Sequence, residues 1–233
     1  MQDSNNSPLA VILLAGMGSR LNRPHPKSLT SLQNGETILS RQFRVLKSFG
    51  LDICCVVGFK KDLIMEAVPD AVFFYNSAYD TTNTSKSLLC ALRHIRDRDV
   101  LWLNGDVVFT EEIISRVLEQ VGSAVAVNNE RVGDEEVKYT VGDDGRINAI
   151  SKQVPYALGE ALGINKISSE YLEEFCQRLE AVNDGDYFER AMELMINEGL
   201  SIFSPVDVSQ LDCIEVDFEE DLERARSMLK GSN

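Results

Sequence analysis

Near its beginning the chain reads Leu13-Leu14-Ala15-Gly16-Met17-Gly18-Ser19-Arg20-Leu21, and Pro26-Lys27-Ser28 follows shortly afterwards. The stretch continues an apolar run, Leu9–Leu14, that is typical of a buried parallel strand. A strand that ends in a glycine-rich turn exposes backbone N–H groups, which can cradle phosphate oxygens. Arg20 adds a planar cationic fork and Lys27 a point charge. The stretch therefore predicts a polyphosphate ligand, such as a nucleoside triphosphate, where the first strand ends.

Two better-known phosphate loops do not fit this stretch. A Walker A loop requires Gly-Lys-Ser/Thr, a tripeptide that the chain lacks. The dinucleotide fingerprint requires a third glycine and an acidic residue near the end of the second strand, but position 21 is leucine and the second predicted strand ends in Gly58-Phe59-Lys60. The order Gly-x-Gly-x-Arg, then Pro-Lys, instead resembles the signature of nucleotidyltransferases that activate sugar phosphates, phosphocholine and similar small phosphates. A tight strand-to-helix turn with surface charges is the alternative reading.

The composition predicts a soluble globular protein. The chain has 233 residues, of which 44% are hydrophobic and 26% charged. A formal net charge of −14 argues against a nucleic-acid partner, because phosphate backbones require clustered Lys and Arg. Five cysteines without metal-ligand spacing, and no apolar signal region or membrane-length segment, favour a cytoplasmic protein with no membrane partner. The sequence leaves the oligomeric state open.

Strand and helix patterns alternate through the first half of the chain. Apolar strand-like runs lie at 9–15, 52–57, 71–75, 100–103 and 124–127, and helical spacing lies between them at 37–49, 61–67, 85–95 and 111–120. Such a βαβα succession predicts an α/β fold with a mostly parallel sheet flanked by helices. Ligands of these sheets bind at the carboxyl ends of the strands, where Gly16-Met17-Gly18 and Asn104-Gly105-Asp106 both fall.

The pattern changes after residue 130. Strand-like runs at 137–141 and 146–150 flank Gly142-Asp143-Asp144-Gly145, which is a hairpin signal, and a further strand is predicted at 157–164. Helices follow at 168–180, with Ser168 as N-cap, and at 186–197, before a strand at 213–216 and a helix at 219–230. We predict one nucleotidyltransferase domain over residues 1–233, with a hairpin or lid on the acceptor side at about 130–165.

Two aspartates follow predicted strands and are candidate metal ligands. Asp106 comes after Leu101-Trp102-Leu103-Asn104-Gly105, and Asp217 comes after Ile214-Glu215-Val216. Mg²⁺ is usually held in proteins by one or two carboxylates together with phosphate oxygens. The alternative is that both residues only shape a turn or cap a helix, although capping and metal binding can coexist.

Taken together, these segments resemble the cytidylyltransferases that act on small non-sugar or polyol phosphates, among them the phosphocholine, inositol-phosphate and aminoethylphosphonate enzymes. The resemblance extends over nearly the whole chain. It includes Tyr75-Asn76-Ser77 and the block Asn83-Thr84-Ser85-Lys86-Ser87-Leu88, which points to this branch rather than to the sugar-nucleotide synthases. It implies a MobA-like, Rossmann-like nucleotidyltransferase fold, CTP as donor, and Mg²⁺ held by Asp106 and Asp217. Asn104 stands where some relatives have a second acid, which leaves the number of metal ions open.

The resemblance also implies roles for other residues. Arg20, Lys27 and Lys152 are the candidate catalytic cations. From its position after the hairpin strand, Lys152 is expected at the acceptor phosphate, with a solvent-exposed surface lysine as the alternative. Glu160, Asp186 and Tyr187 are the candidate acceptor-binding residues. For Asn83 and Ser87, which are expected at the cytosine or ribose, helix capping is an equal alternative. The candidate nucleotide-binding residues are Leu14, Ala15, Gly16, Met17, Gly18, Ser19, Asn83 and Ser87.

The expected reaction transfers CMP from CTP to a small phosphate or phosphonate acceptor and releases pyrophosphate. Acidic residues and tyrosines on the acceptor side predict an acceptor that carries an amine, as phosphocholine and 2-aminoethylphosphonate do; a solvated acidic surface is the alternative. Two other functions stay open at this point: a sugar-1-phosphate or other NTP-dependent nucleotidyltransferase, and a non-catalytic nucleotide-binding regulator.

Overall fold

A mixed sheet with helices on both faces forms the centre of the molecule. The computed structural model describes residues 7–18, 21, 23–33, 35–130, 132–133 and 136–230. The strands of this part of the chain are β1 (Leu9–Leu14), β2 (Asp52–Val57), β3 (Val72–Tyr75), β4 (Val100–Asn104), β5 (Val107–Phe109), β6 (Ser123–Asn128), β7 (Lys138–Val141), β8 (Ile147–Ser151), β9 (Gly159–Ile167), β10 (Phe203–Asp207) and β11 (Cys213–Glu215). The α-helices are α1 (Ile38–Ser48), α2 (Lys61–Ala67), α3 (Thr84–Leu92), α4 (Glu111–Glu119), α5 (Leu172–Ala181), α6 (Phe188–Asn197) and α7 (Glu219–Lys230).

The strand order confirms the predicted α/β class. The main sheet runs β10-β6-β9-β4-β1-β2-β3. Strand β1 is parallel to β2 and β4 on its two sides, and β10 is parallel to β6. Strand β9 is antiparallel to β4 and β6 and makes the sheet mixed. Because β1, β2 and β4 are parallel, the loops that follow them meet at one edge of the sheet.

The sheet separates two apolar layers. Side chains alternate along β1, so that Val11 and Leu13 face α3, α5 and α6, whereas Ile12 and Leu14 face α1 and α4. Both faces of β1 are therefore buried, which accounts for its continuous apolar sequence. The single tryptophan, Trp102 on β4, packs against the rings of Phe175 and Phe188, with centroids 5.5 and 5.6 Å away.

A separate two-stranded sheet lies beside the main one. Strand β11, predicted at 213–216, pairs antiparallel with β5, and Ile214 lies opposite Val108. The sequence pattern did not assign β5 or β10. Strand β5 has three residues, which is too short to show a period. Strand β10 contains Pro205, which normally argues against a strand and is tolerated here because β10 lies at the edge of the sheet.

The predicted hairpin is present as β7 and β8, which pair antiparallel, and β7 also pairs with β9. Its role as a lid stays a prediction. Two predicted helix starts were wrong. The first helix, α5, begins at Leu172 rather than at 168, because the 3₁₀ turn Ser169–Tyr171 precedes it; the Ser168 side chain makes no capping hydrogen bond. The second, α6, begins at Phe188 rather than at 186, because residues 182–187 form a loop. Within the described residues no helix combines the length and the apolar character that crossing a bilayer requires.

Candidate active site

Asp106 stands on a sharp turn between β4 and β5. The turn lies against the end of β1, where the Gly105 amide donates to the Leu13 carbonyl at 3.0 Å. A Cβ at position 105 would lie 2.4 Å from Cδ2 of Leu14 and 2.6 Å from the Leu13 oxygen, so only glycine fits there. The short turn therefore holds Asp106 next to the glycine-rich loop that follows β1.

A buried glutamine locks this turn. Gln42 on α1 is 1% exposed, and its Nε2 donates to the carbonyls of Asn104 at 2.9 Å and Val107 at 2.8 Å, on either side of Asp106. The sequence analysis missed this residue. The available signal was a polar side chain on the apolar face of α1, between Leu39 and Val45.

Asp217 reaches the same place through the second sheet. The Val216 amide donates to the Asp106 carbonyl at 3.0 Å and extends the pairing of β5 with β11 by one step. The amides of Asp217 and Phe218 donate to Oδ2 of Asp221 at 3.2 and 2.9 Å, which fixes the backbone before α7. Two segments that are far apart in sequence thus bring two predicted metal ligands together.

Lys27 joins the two aspartates. Its Nζ donates to Oδ2 of Asp106 at 2.8 Å and to Oδ1 of Asp217 at 2.5 Å, and its side chain is 11% exposed. Burial by itself would lower the pKa of Lys27, but the charges and hydrogen bonds of Asp106 and Asp217 outweigh it and raise that pKa above the ordinary value. Gly18, with φ of +57°, packs so closely that a Cβ there would lie 2.8 Å from Cβ of Lys27. The glycine-rich loop and the lysine are therefore in contact.

Glu215 adds a third carboxylate that the sequence analysis did not select. One oxygen each from Asp106, Glu215 and Asp217 lie within 4.8 Å of one another. Glu215 is exposed, and partial loss of surrounding water together with the negative charges of Asp106 and Asp217 raises the pKa of its carboxyl above the ordinary value. The signal was available: residues 215 and 217 alternate with the fully buried Val216, which is the spacing that puts two side chains on one face of an extended segment.

The carboxylates have the donor chemistry that Mg²⁺ requires. Oxygen ligands from one or two carboxylates, completed by phosphate and water, are the usual set for this ion. Oδ1 of Asp106 is buried and makes no hydrogen bond with any described residue, so it retains a free lone pair for a ligand. The residues at this position fit a divalent cation.

The predicted acceptor residues fall into separate local arrangements. Nζ of Lys152 lies 5.0 Å from the ring centroid of Tyr187, which is 45% exposed. Oε2 of Glu160 accepts from the Gly133 amide at 3.0 Å. Oδ2 of Asp186 accepts from the amide and the side chain of Asn183, at 2.8 and 3.1 Å, and closes its own loop. Lys152 and Tyr187 are thus brought together, whereas Glu160 and Asp186 bind neighbouring backbone.

The predicted nucleotide residues begin where β1 ends. Leu14 and Ala15 are buried, and the Ala15 carbonyl accepts from the Phe59 amide at 3.1 Å, whereas Gly16 and Met17 are exposed. Ser19 and Arg20 lie outside the described residues.

The two predicted nucleotide residues of α3 both take part in internal hydrogen bonds. Asn83 caps α3 by accepting from the Thr84 amide at 2.8 Å, and the buried Ser87 hydroxyl lies 3.0 Å from Nδ2 of Asn76. Their nucleotide roles stay predictions.

Lys60 is a further residue that sequence reasoning missed. It has φ of +47° at the start of α2, and its Nζ donates to the Pro24 carbonyl, in the segment that leads to Lys27. Its position after Gly58-Phe59, at the end of β2, was the available signal. The contact ties the second βα loop to the first.

A mostly parallel sheet that carries a glycine-rich loop, a lysine and strand-end carboxylates at one edge defines a nucleotidyltransferase class of fold and site. The profile of the MobA-like NTP transferase domain matches residues 10–181, and the chain belongs to this family. Solved structures agree on the fold. A CTP:phosphocholine cytidylyltransferase from Streptococcus pneumoniae aligns with a TM-score of 0.75 over 96% of this chain and 99% of that one, at 18% identity. An inositol-1-phosphate CTP transferase from T. maritima aligns with a TM-score of 0.78 over 96% of each chain, at 15% identity.

Curated relatives match over shorter stretches. CMP-5'-(3-aminopropyl)phosphonate synthase from Streptomyces rubellomurinus is 34% identical over 46% of this chain and 18% of its own length. CTP:phosphoglutamine cytidylyltransferase from Campylobacter jejuni is 30% identical over 47% of each protein. The matched stretch therefore covers less than half of the length of both relatives.

Proposed function

We propose that this chain is a cytidylyltransferase that transfers CMP from CTP to a small phosphate or phosphonate acceptor and releases pyrophosphate. The observation that carries the proposal is the contact of Lys27 with both Asp106 and Asp217, at 2.8 and 2.5 Å, beside the glycine-rich loop. The names of the curated relatives support cytidylyl transfer to small phosphorylated or phosphonylated compounds.

The reaction needs no general base. The second pKa of a phosphate monoester lies near 6, so the attacking oxygen is already largely ionised at neutral pH. That oxygen forms a bond to the α-phosphorus of CTP in line with the bond to the β-phosphate. The α-phosphorus bond to the bridging oxygen breaks, and its electron pair leaves on pyrophosphate. What remains for the protein is alignment and neutralisation of charge.

Different residues of the chain align the substrates and neutralise charge. Lys27 neutralises charge that develops between donor and acceptor. The exposed backbone of Gly16 and Met17, with Arg20, binds the β- and γ-phosphates of the leaving group. Asp106 and Asp217, together with Glu215, would hold Mg²⁺, which would supply Lewis-acid polarisation of a phosphate oxygen. Lys152 binds the acceptor phosphate.

The acceptor carries an amine in this proposal. The ring of Tyr187 already faces one ammonium group, that of Lys152, at 5.0 Å, so its face suits a cation. Glu189, the second residue of α6, has a buried Oε2 with no hydrogen-bond partner among the described residues. The aromatic face of Tyr187 and the acidic residue two positions further along the chain support phosphocholine-like and 2-aminoethylphosphonate-like acceptors over inositol phosphate.

The test is a panel of CTP, UTP, ATP and GTP, each with Mg²⁺ and with phosphocholine, 2-aminoethylphosphonate or inositol phosphate, followed by pyrophosphate release. We expect CTP with an amine acceptor to give the highest kcat/KM. Preference for another nucleotide with every acceptor would instead favour a sugar-1-phosphate type of enzyme. Nucleotide binding without pyrophosphate release would favour a regulator.

A further inference from the structure

The first turn of α3 holds the loop of residues 182–187 at its beginning, middle and end. This loop connects α5 with α6 and carries the predicted acceptor residues Asp186 and Tyr187. The residues that hold it, 83–86, belong to the block 83–88, in which Asn83 and Ser87 are predicted to bind the nucleotide. The block therefore contacts the acceptor side of the molecule as well.

In the middle and at the end of the loop, the carbonyl groups of three consecutive residues accept hydrogen bonds. The backbone amide of Asn83 donates to the Asp184 carbonyl at 2.8 Å, and Nδ2 of the Asn83 side chain donates to the Gly185 carbonyl at 3.2 Å. The Ser85 hydroxyl donates to the Asp186 carbonyl at 2.6 Å. Each carbonyl of residues 184–186 thus has a donor on the first turn of α3 or on Asn83, the residue that caps it.

The first residue of α6 is held in the same way. The Phe188 amide donates to Oγ1 of Thr84 at 3.2 Å, which satisfies one of the free N–H groups at the helix start. Phe188 in turn packs edge-on against Trp102 in the core. The end of the loop therefore has a fixed position relative to the sheet.

Lys86 fixes the beginning of the loop. Its Nζ donates to the carbonyls of Leu179 at 2.9 Å, Glu180 at 3.0 Å and Val182 at 2.7 Å, and its side chain is 15% exposed. These carbonyls belong to the last turn of α5 and the residue after it, where the helix dipole is negative. A half-buried ammonium with three carbonyl acceptors is a specific contact, because three acceptors match its three protons, and Oδ1 of Asp184 in the loop lies a further 4.0 Å from the same nitrogen.

We propose that residues 83–86 are positioning residues that hold the 182–187 loop for acceptor binding, so that Tyr187 meets Lys152, and that Lys86 acts on acceptor use without acting on CTP use. The inference rests on the proposed function. Its physical basis is that a side chain on a loop retains its position only as well as the loop backbone does. A displacement of about 1 Å at a substrate-positioning group can cost on the order of 10²-fold in rate.

The test compares Lys86→Met with Lys86→Arg, using CTP and the amine acceptor that the unaltered chain prefers. We expect Lys86→Met to raise KM for the acceptor about tenfold, with KM for CTP changed less than about twofold, and Lys86→Arg to restore most of the loss by retaining a cationic donor. The milder Ser85→Ala should raise the acceptor KM in the same direction if Lys86→Met folds poorly. Lys47→Met, an exposed lysine of α1, is the matched control.

Hydrogen exchange supplies a readout that needs no acceptor. Amides of residues 182–188 should exchange faster in Lys86→Met, whereas those of β1 and β4 should not change. An unaltered acceptor KM in an active, folded Lys86→Met variant, or equal rises in both KM values, would refute the inference and leave the proposed function intact. If the unaltered chain itself turns over no acceptor, the proposed function is wrong and this inference falls with it.

Discussion

The two halves of the candidate site are built in different ways. Lys27, Asp106 and Asp217 are largely shielded from solvent, and Lys27 binds both aspartates directly. Asp106 and Asp217 stand one and two residues away from the paired strands β5 and β11, whereas Lys27 opens the 3₁₀ turn Lys27–Leu29. Lys152 follows β8, in the hairpin that lies off the main path of the sheet, and Tyr187 ends the loop before α6 and is 45% exposed. Their contact is a cation–ring contact at 5.0 Å. The end of β4 and the β5–β11 pair therefore position the two aspartates that hold Lys27, whereas the β7–β8 hairpin and the loop before α6 position the second half.

From this difference we assign charge stabilisation during the reaction to the first half and recognition of the acceptor to the second. Groups fixed by strand pairing have little freedom, which suits the charge stabilisation common to every substrate. Groups on loops can differ between relatives without a change in the sheet, which suits recognition of a particular acceptor. Changes in the first half should therefore lower the rate with all acceptors, and changes in the second should alter the choice among them.

The largest effect is expected at the aspartates. Asp106→Asn and Asp217→Asn should each lower kcat by about 10³-fold or more, because loss of a metal ligand removes several kcal/mol of charge stabilisation. Each variant leaves Lys27 with one carboxylate partner, so the fold should be retained. Pyrophosphate release measures the rate, and circular dichroism checks the fold.

Asp70→Asn is the matched control for the aspartates, since Asp70 is exposed between α2 and β3. It should keep the full rate. Near-normal turnover in Asp106→Asn or Asp217→Asn would show that the reactive centre lies elsewhere and would remove the distinction between the two halves.

Lys27→Met should have the next largest effect. Removal of one preorganised cation from the reacting phosphates typically lowers kcat by about 10²-fold. The loss should be the same for phosphocholine and 2-aminoethylphosphonate, because Lys27 belongs to the half that all acceptors share. Lys47→Met serves as control, and a loss confined to one acceptor would contradict the assignment.

Tyr187→Leu should have a smaller and more selective effect. Loss of a cation–ring contact corresponds to about 0.5–2 kcal/mol, so KM for an amine acceptor should rise roughly 2- to 30-fold. KM for the hydroxyl isostere of that acceptor should change little. Tyr75→Leu is a close control, because Tyr75 also faces a lysine, Lys61 at 4.9 Å, but lies on the edge strand β3. Equal losses for the amine and the hydroxyl compound would argue against ammonium recognition.

The smallest effect is a change of stability with pH. Burial raises the pKa of Glu189 to about 7, and a hydrogen bond from its own backbone amide and the positive charge of Lys152 oppose that shift only in part. Because the folded state binds this proton more tightly than the unfolded state, the associated stability is present at low pH and is lost as pH rises from about 4.5 to about 7. Glu189→Gln removes that loss and should be more stable than the unaltered chain by about 1–3 kcal/mol at pH 8, with no difference at pH 4.

Urea unfolding at the two pH values measures the effect of Glu189→Gln. Glu66→Gln, at an exposed position on α2, should show no such difference. A Gln variant that is less stable at pH 8 would mean that Glu189 is ionised and satisfied in the folded protein.

The part of the site built on strands was predictable from the sequence. Apolar runs mark strands, and the residues that follow parallel strands must meet at one edge, so Gly16, Asp106 and the fold class could be predicted from pattern alone. Asp217 was placed correctly for a different reason. It reaches Asp106 through the pairing of β5 with β11. This pairing could not be predicted from the sequence, because β5 has only three residues and shows no period.

The positions of the site residues that lie outside the central strands could not be predicted equally well. Hydrogen bonds from Lys86 to the end of α5, and from Gln42 to the turn at Asp106, join segments whose spacing in the sequence carries no period. Asp186 and Asn83 were selected for their polarity, but side chains of this kind also cap helices and close turns, as both do here. Polarity alone does not distinguish a side chain that binds a ligand from one that caps a helix or closes a turn.

The most direct test of nucleotidyl transfer by this chain is ³¹P NMR of CTP, Mg²⁺ and an equimolar mixture of phosphocholine and 2-aminoethylphosphonate. The account predicts that the protein produces pyrophosphate together with a new pair of coupled resonances, in which the α-phosphorus of CMP is joined through oxygen to the acceptor phosphorus. An unchanged CTP spectrum, when UTP, ATP or GTP is consumed in its place, would contradict the cytidylyl assignment. Release of orthophosphate from CTP without any joined product would contradict the transfer reaction itself.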